Sequence, residues 1–156
     1  MLGVGNILLS DEGIGVRVIE ELQRRYTFPS NVEVIDGGTG SIHLLSLIEE
    51  AEFLIVVDAV DAEESPGTVL RFTRQEDDLA IRQKTSLHQL GVLEVLNIAK
   101  VHKRCPPAVI VGIQPKDLSP GLSLSPELGT SITRAIEAVI AELDELGAKP
   151  SATAEH

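Results

Sequence analysis

Leu2-Gly3-Val4-Gly5-Asn6-Ile7-Leu8-Leu9-Ser10-Asp11-Glu12-Gly13-Ile14-Gly15-Val16-Arg17 decides the fold. The stretch passes from a short apolar run through a glycine-bearing turn into a segment of helical period. From about Asp11 to Tyr26, residues Ile14, Val18, Ile19, Leu22 and Tyr26 fall on one helix face. A strand that feeds a helix is half of a βαβ unit, and the rhythm continues down the chain. Apolar β-rich runs bounded by turn residues stand at Val32–Ile35, Phe53–Val57, Thr68–Thr73 and Ala108–Ile113. Helical segments lie between most of them. A second helix begins near Ser41 and turns Ile42, Leu45 and Ile48 inward. A third spans His88–Lys100 on Leu90, Leu93 and Leu96. The last opens with Ser125 as N-cap, Pro126 at N1 and Glu127, runs through Leu128, Ile132, Ala135, Ile136, Val139, Leu143 and Leu146, and stops at Gly147. This alternation predicts an α/β domain with a largely parallel sheet. One connection breaks it: about ten residues, with Ser65-Pro66-Gly67, precede Thr68–Thr73. That is short for a parallel crossover and sufficient for a hairpin, so this strand is expected to be antiparallel.

The 156 residues are read as one domain over 1–148 with a polar, disordered tail over 149–156. Leu2–Val4 is short for a central strand, so the expectation is that the true start of translation lies upstream of Met1. With 13 basic against 24 acidic residues the net charge is −11, a field that repels nucleic acid. The single cysteine, Cys105, excludes an intrachain disulfide or a Cys-based metal site built by this chain alone. No apolar run approaches the ~18 residues of a membrane span, and the start lacks a signal-peptide pattern. The expectation is a cytoplasmic protein without nucleic-acid or membrane partners, and a monomer.

In open α/β sheets ligands bind beyond the carboxyl ends of the strands. Three polar segments follow strands here: Gly5–Gly15, Asp36-Gly37-Gly38-Thr39-Gly40, and Asp58 in Val57-Asp58-Ala59. Gly3-x-Gly5 followed by Asp36 is a weak dinucleotide signal. Against it, the third glycine position is Leu8, and Asp11 and Glu12 occupy the helix start, where a pyrophosphate needs bare amides. Two carboxylates there favour a cation instead. Of the four histidines, His88 opens a helix after a polar stretch and is the best third ligand. Glu12, Asp58 and His88 would then offer an O/O/N set suited to nickel, zinc or manganese with positions left open. Each also has a plain structural reading: Glu12 as a dipole complement, Asp58 as a turn residue, His88 as a structural histidine. Spacing alone does not choose between them. There is no His-Glu-x-x-His or Gly-x-Ser-x-Gly, and Cys105 has no visible partner base.

Taken together, Leu2–Arg17, the Asp36–Thr39 loop, Val57-Asp58-Ala59, Ser86-Leu87-His88-Gln89-Leu90-Gly91 and Val111-Gly112-Ile113-Gln114-Pro115 resemble the hydrogenase maturation endopeptidases, in order and across nearly the whole chain. These remove a short C-terminal extension from the large subunit of nickel–iron hydrogenases after nickel insertion. The resemblance implies a three-layer α/β/α fold with a five-stranded, mostly parallel mixed sheet containing one antiparallel strand. It implies that Glu12, Asp58 and His88 contact nickel carried by the precursor. It gives Gly37, Gly38 and Thr39 a substrate-positioning role, with Asp36 or Asp58 as the catalytic carboxylate, an aspartic-type activity. It also implies apolar residues ahead of Leu2. A nickel ion that arrives with its substrate suits a cysteine-poor site, because carboxylate and imidazole compete weakly with the precursor's thiolates. A non-catalytic nickel- or precursor-binding chaperone with the same three residues is the alternative.

Overall fold

The computed structural model describes residues 1–39, 42–73 and 90–153. Its elements are β1 (Leu2–Val4), α1 (Ile14–Arg25), β2 (Tyr26–Thr27), β3 (Ile35–Gly38), α2 (Leu45–Glu50), β4 (Leu54–Ala59), β5 (Val69–Thr73), α3 (Leu90–Val101), β6 (Ala108–Ile113), α4 (Ser131–Glu145) and β7 (Ser151–Ala152). Five strands form one sheet in the order β3-β1-β4-β6-β5. Its pairs are parallel except β5–β6, which is antiparallel as the short connection requires.

β4 and β6 are buried along their whole length, which is why they read as continuous apolar runs rather than as alternation. Leu54, Val56 and Ile110 pack on one face with Val92, Val95, Leu96 and Ala99 of α3 and Ile48 of α2. Ile55, Val57, Val111 and Ile113 pack on the other with Ile14, Val18, Ile19 and Leu22 of α1 and Ala135, Ile136 and Val139 of α4. The period-2 alternation of the strands therefore serves two helical layers, giving the three-layer fold. No helix among the described residues is long and apolar enough to cross a membrane.

The elements depart from the sequence expectation at five places. The segment expected as a strand at Val32–Ile35 pairs further on, at Ile35–Gly38, because pairing with β1 recruits main chain and is indifferent to the glycines' lack of side chains. Asp36, Gly37 and Gly38 thus belong to β3 itself. Ile42 is exposed rather than inward: Ile42–Leu44 is a 3-10 turn, whose tighter winding puts Leu44 and then Ile48 on the core. The helix expected from Asp11 starts with another 3-10 turn, Ser10–Gly13. Ser125 does not cap the last helix; Pro126–Leu128 is a separate 3-10 turn and α4 begins at Ser131. In the tail, β7 pairs antiparallel with β2, held by main-chain bonds that require no apolar side chains. His88 and Gln89, at the expected start of the third helix, lie outside the described residues.

Candidate functional site

The chain leaves β1 toward β3 on one side of it, and leaves β4 toward β6 on the other. The carboxyl ends of β1 and β4 therefore flank the crevice of a topological switch point. Glycine brings the start of α1 down onto it. A Cβ at Gly15 would lie 2.2 Å from the Val57 carbonyl oxygen and 2.3 Å from that of Val4, and one at Gly5, where φ is +146°, would lie 1.9 Å from the Glu12 oxygen. Only bare Cα positions allow the helix start and two strand ends to approach this closely.

Glu12, in the turn ahead of α1, is 6% exposed, and Asp58, the fifth residue of β4, is 5% exposed. Burial pushes the Asp58 carboxyl well above the ordinary carboxylate range; the Ala59 amide opposes the shift and the charge of Glu12 adds to it. The structure thus brings together two of the three expected ligands, one of them a carboxyl poised to hold a proton. His88 lies outside the described residues. α3, which begins two residues after it, packs on the same sheet face as Val56 and Leu54. Among the described residues no three His, Cys, Asp or Glu side chains gather to hold a metal.

Asp36 stands apart from this pair. Its backbone is level with Gly3 in β1, which is itself level with Val57 in β4, and two strand spacings amount to roughly 10 Å. The side chain is exposed and Oδ1 accepts a hydrogen bond from the Gly38 amide at 2.8 Å. Gly38, with φ +51°, gives its carbonyl to the Gly5 amide at 2.6 Å, tying the rim of β3 to that of β1. Gly37 lies over the Gly3 carbonyl and Thr39 is exposed beyond it. Gly40 lies outside the described residues.

Asp11 and Gln114 have roles at this edge that their sequence neighbourhoods do not show. Asp11 is fully buried yet has four donors on its carboxylate: the amides of Lys116, Asp117 and Ser125 at 2.9, 2.9 and 2.6 Å and the Ser125 hydroxyl at 2.8 Å. Burial pushes its pKa up, but these donors outweigh burial and hold the carboxyl below its ordinary value. The partners are more than 100 residues away, so no local pattern announces them. Asp11 is a structural anchor, and Ser125 serves it rather than the helix. Gln114, buried at the end of β6, accepts from the amides of Ala62 and Glu64 at 2.8 and 3.2 Å and donates to Asp61 Oδ1 at 3.2 Å, fixing the turn that follows Asp58.

Asp11→Asn is expected to destabilise the protein by about 3 kcal/mol, since an amide NH2 must then face a donor in a buried site. The acid limb follows from the same shift. A folded pKa below the unfolded 3.8 supplies stability that is present above about pH 4 and lost as pH falls through the folded value. Urea titrations between pH 3 and 7 check both; equal midpoints for variant and wild type at pH 7 refute the anchor.

Glu12 and Asp58 are thus buried beside the switch point of an open α/β sheet, the class of fold that binds its ligands at this edge. The chain belongs to the hydrogenase maturation protease family, whose model matches residues 16–142, and it is a peptidase. It is 40% identical over 149 residues to the hydrogenase 2 maturation protease of Escherichia coli K12, covering 94% of this chain and 91% of that protein. It is 43% identical over 153 residues to the hydrogenase expression/formation protein HupD of Bradyrhizobium diazoefficiens, covering 94% and 78%. The fold matches that of the hydrogenase maturating endopeptidase HybD from E. coli with a TM-score of 0.89 and 39% identity, over 97% of this chain and 94% of that one. Family and fold favour the peptidase over the chaperone alternative.

Proposed function

We propose that this peptidase removes the C-terminal extension from the nickel-loaded large-subunit precursor of a nickel–iron hydrogenase, with Glu12, Asp58 and His88 contacting the nickel that the precursor brings. The observation that carries the reading is the buried pair Glu12 and Asp58 at the switch point, with Asp58 pushed toward its protonated form. Two carboxylates held together out of water repel each other, and an arriving divalent cation relieves that repulsion. Docking of the metal would displace the proton from Asp58 to solvent and leave its carboxylate free to act as a ligand.

Peptide hydrolysis also requires a base for the attacking water and a proton for the leaving amine. Asp36, exposed at the rim of β3 with Oδ1 accepting from the Gly38 amide, is one candidate for the base and would serve a peptide bond that lies on the β3 side of the site. Asp58 itself is the other candidate. The glycine rim Gly37-Gly38 with Thr39 offers main chain to an extended peptide, a positioning role that needs no side chain. Nickel, as part of the substrate, would polarise the scissile carbonyl or dock the precursor.

Incubation with nickel-loaded precursor, followed by mass spectrometry, is expected to show loss of a short C-terminal peptide. Precursor prepared without nickel should retain its full mass, and His88→Ala should process the loaded form at least a hundredfold more slowly. Full-rate processing of nickel-free precursor would refute the metal-recognition reading. An intact precursor in a stable complex would restore the chaperone.

A further inference from the structure

We propose that Ile7, Leu8 and Leu122 form the surface on which the precursor's folded body rests, through an apolar patch beside the segment that is cut. This rests on the processing function above and names the contact that function requires. The three side chains are 41%, 60% and 66% exposed, although the chain buries most of its large apolar residues. They come from two loops more than 100 residues apart that the fold joins. The Gly121 amide donates to the Leu8 carbonyl at 2.9 Å, the Ser10 amide donates to the Gly121 carbonyl at 2.9 Å, and Leu9 and Gly121 form a parallel bridge.

The cluster is continuous with the carboxylate site. A Cβ at Gly13 would lie 2.8 Å from Ile7 Cα and 3.3 Å from its Cγ2, so Ile7 rests on the residue next to Glu12. A polypeptide that reaches Glu12 from this side passes over Ile7 and its neighbours. Of the other exposed apolar residues, Ile42 and Leu47 belong to the turn before α2 and to α2 itself, and Val101 and Leu146 stand at the carboxyl ends of α3 and α4. α3 leads into the start of β6 and α4 runs back from its end, so both helices finish toward the amino edge of the sheet, away from the site.

The patch is also held rigid, as a docking surface should be to limit the ordering cost of association. Arg17 Nη2 donates to the Leu122 carbonyl at 2.8 Å, Ser10 Oγ donates to the Ser119 carbonyl at 2.9 Å, and Asp11 fastens both ends of the 116–125 segment. Ser10 adopts φ +51°, a conformation costly for a non-glycine residue, within this same join. The tethers hold the main chain beneath three apolar side chains that remain in water in the free protein. An apolar partner surface would cover them.

The test is the double variant Leu8→Ser/Leu122→Ser against wild type, using nickel-loaded precursor over a range of concentrations. Both side chains are more than half exposed, so thermal stability should match wild type; Leu122→Ser alone, on the second loop, is the fallback. KM should rise about tenfold for the double variant and about threefold for the single one, with kcat within twofold. An unchanged KM overturns the proposal while leaving the processing function intact. A wild type that cleaves no precursor overturns that function and the patch with it. Sedimentation of the free protein separates the remaining occupant: a dimer that the double substitution dissolves would make the patch a self-interface and overturn the proposal.

Discussion

Asp58→Asn is expected to slow processing of the nickel-loaded precursor by a hundredfold or more, while leaving the protein at least as stable as wild type at pH 7. The two halves of this expectation have one cause. Asp58 is buried beside Glu12, and burial, with that neighbouring charge in support, raises its pKa well above 3.8. Between the unfolded and folded values the native state binds more protons than the unfolded one. The carboxyl's contribution to stability is then complete below about pH 4 and is lost as pH rises toward the folded value, with a slope of at most about 1.4 kcal/mol per pH unit. An amide of the same shape does not titrate, so the variant's stability should be flatter with pH over that window. The same neutral amide can neither give up a proton to become an anionic ligand nor return one to a leaving amine. Urea midpoints at pH 4, 5, 6 and 7 read the first half, and mass spectrometry of the precursor reads the second. A variant that processes at wild-type rate, or that loses stability with rising pH as steeply as wild type, would remove Asp58 from its role.

What the sequence made legible follows the range of the interactions. α1, β6 and the antiparallel β5 could be read because period, apolar runs and loop length are local quantities. Glu12 and Asp58 could be placed at strand ends on the same grounds, and the structure brings them together. What escaped depends on distant partners. Ser125 looks like an N-cap in its own neighbourhood, yet its hydroxyl and amide go to Asp11, 114 residues away. Asp11 and Glu12 are adjacent in sequence and alike in chemistry. Only the position of the 116–125 segment makes one an anchor with four donors and leaves the other facing Asp58. Ile42 illustrates a second limit: a single 3-10 turn ahead of α2 rotates its side chain out of the core, and periodicity counted at 3.6 residues per turn does not register it.

Gly15→Ala, the smallest substitution available, is expected to destabilise the fold by about 3–5 kcal/mol, a large part of the 5–15 kcal/mol that holds a domain of this kind together. On helix propensity alone the change should help by roughly 1 kcal/mol, since alanine is the better helix former. The geometry reverses the sign. The added methyl would fall 2.2 Å from the Val57 oxygen and 2.3 Å from the Val4 oxygen, main-chain atoms of two central strands that cannot swing aside as a side chain can. Relief requires the start of α1 to lift from the sheet. That loosens Ile14, Val18 and Ile19 in the core and draws Glu12 away from Asp58. Gly147 is the control: its φ of +71° strains an alanine, but nothing lies within 4 Å of the added Cβ, so Gly147→Ala should cost only about 1 kcal/mol. Chemical denaturation of the two variants side by side separates steric approach from backbone strain. Equal losses would mean that α1 does not sit on the strand ends as described. A Gly15→Ala protein that folds yet processes poorly, with a normal KM, would show that the glycine sets the spacing of the two carboxylates as well as the packing of the helix.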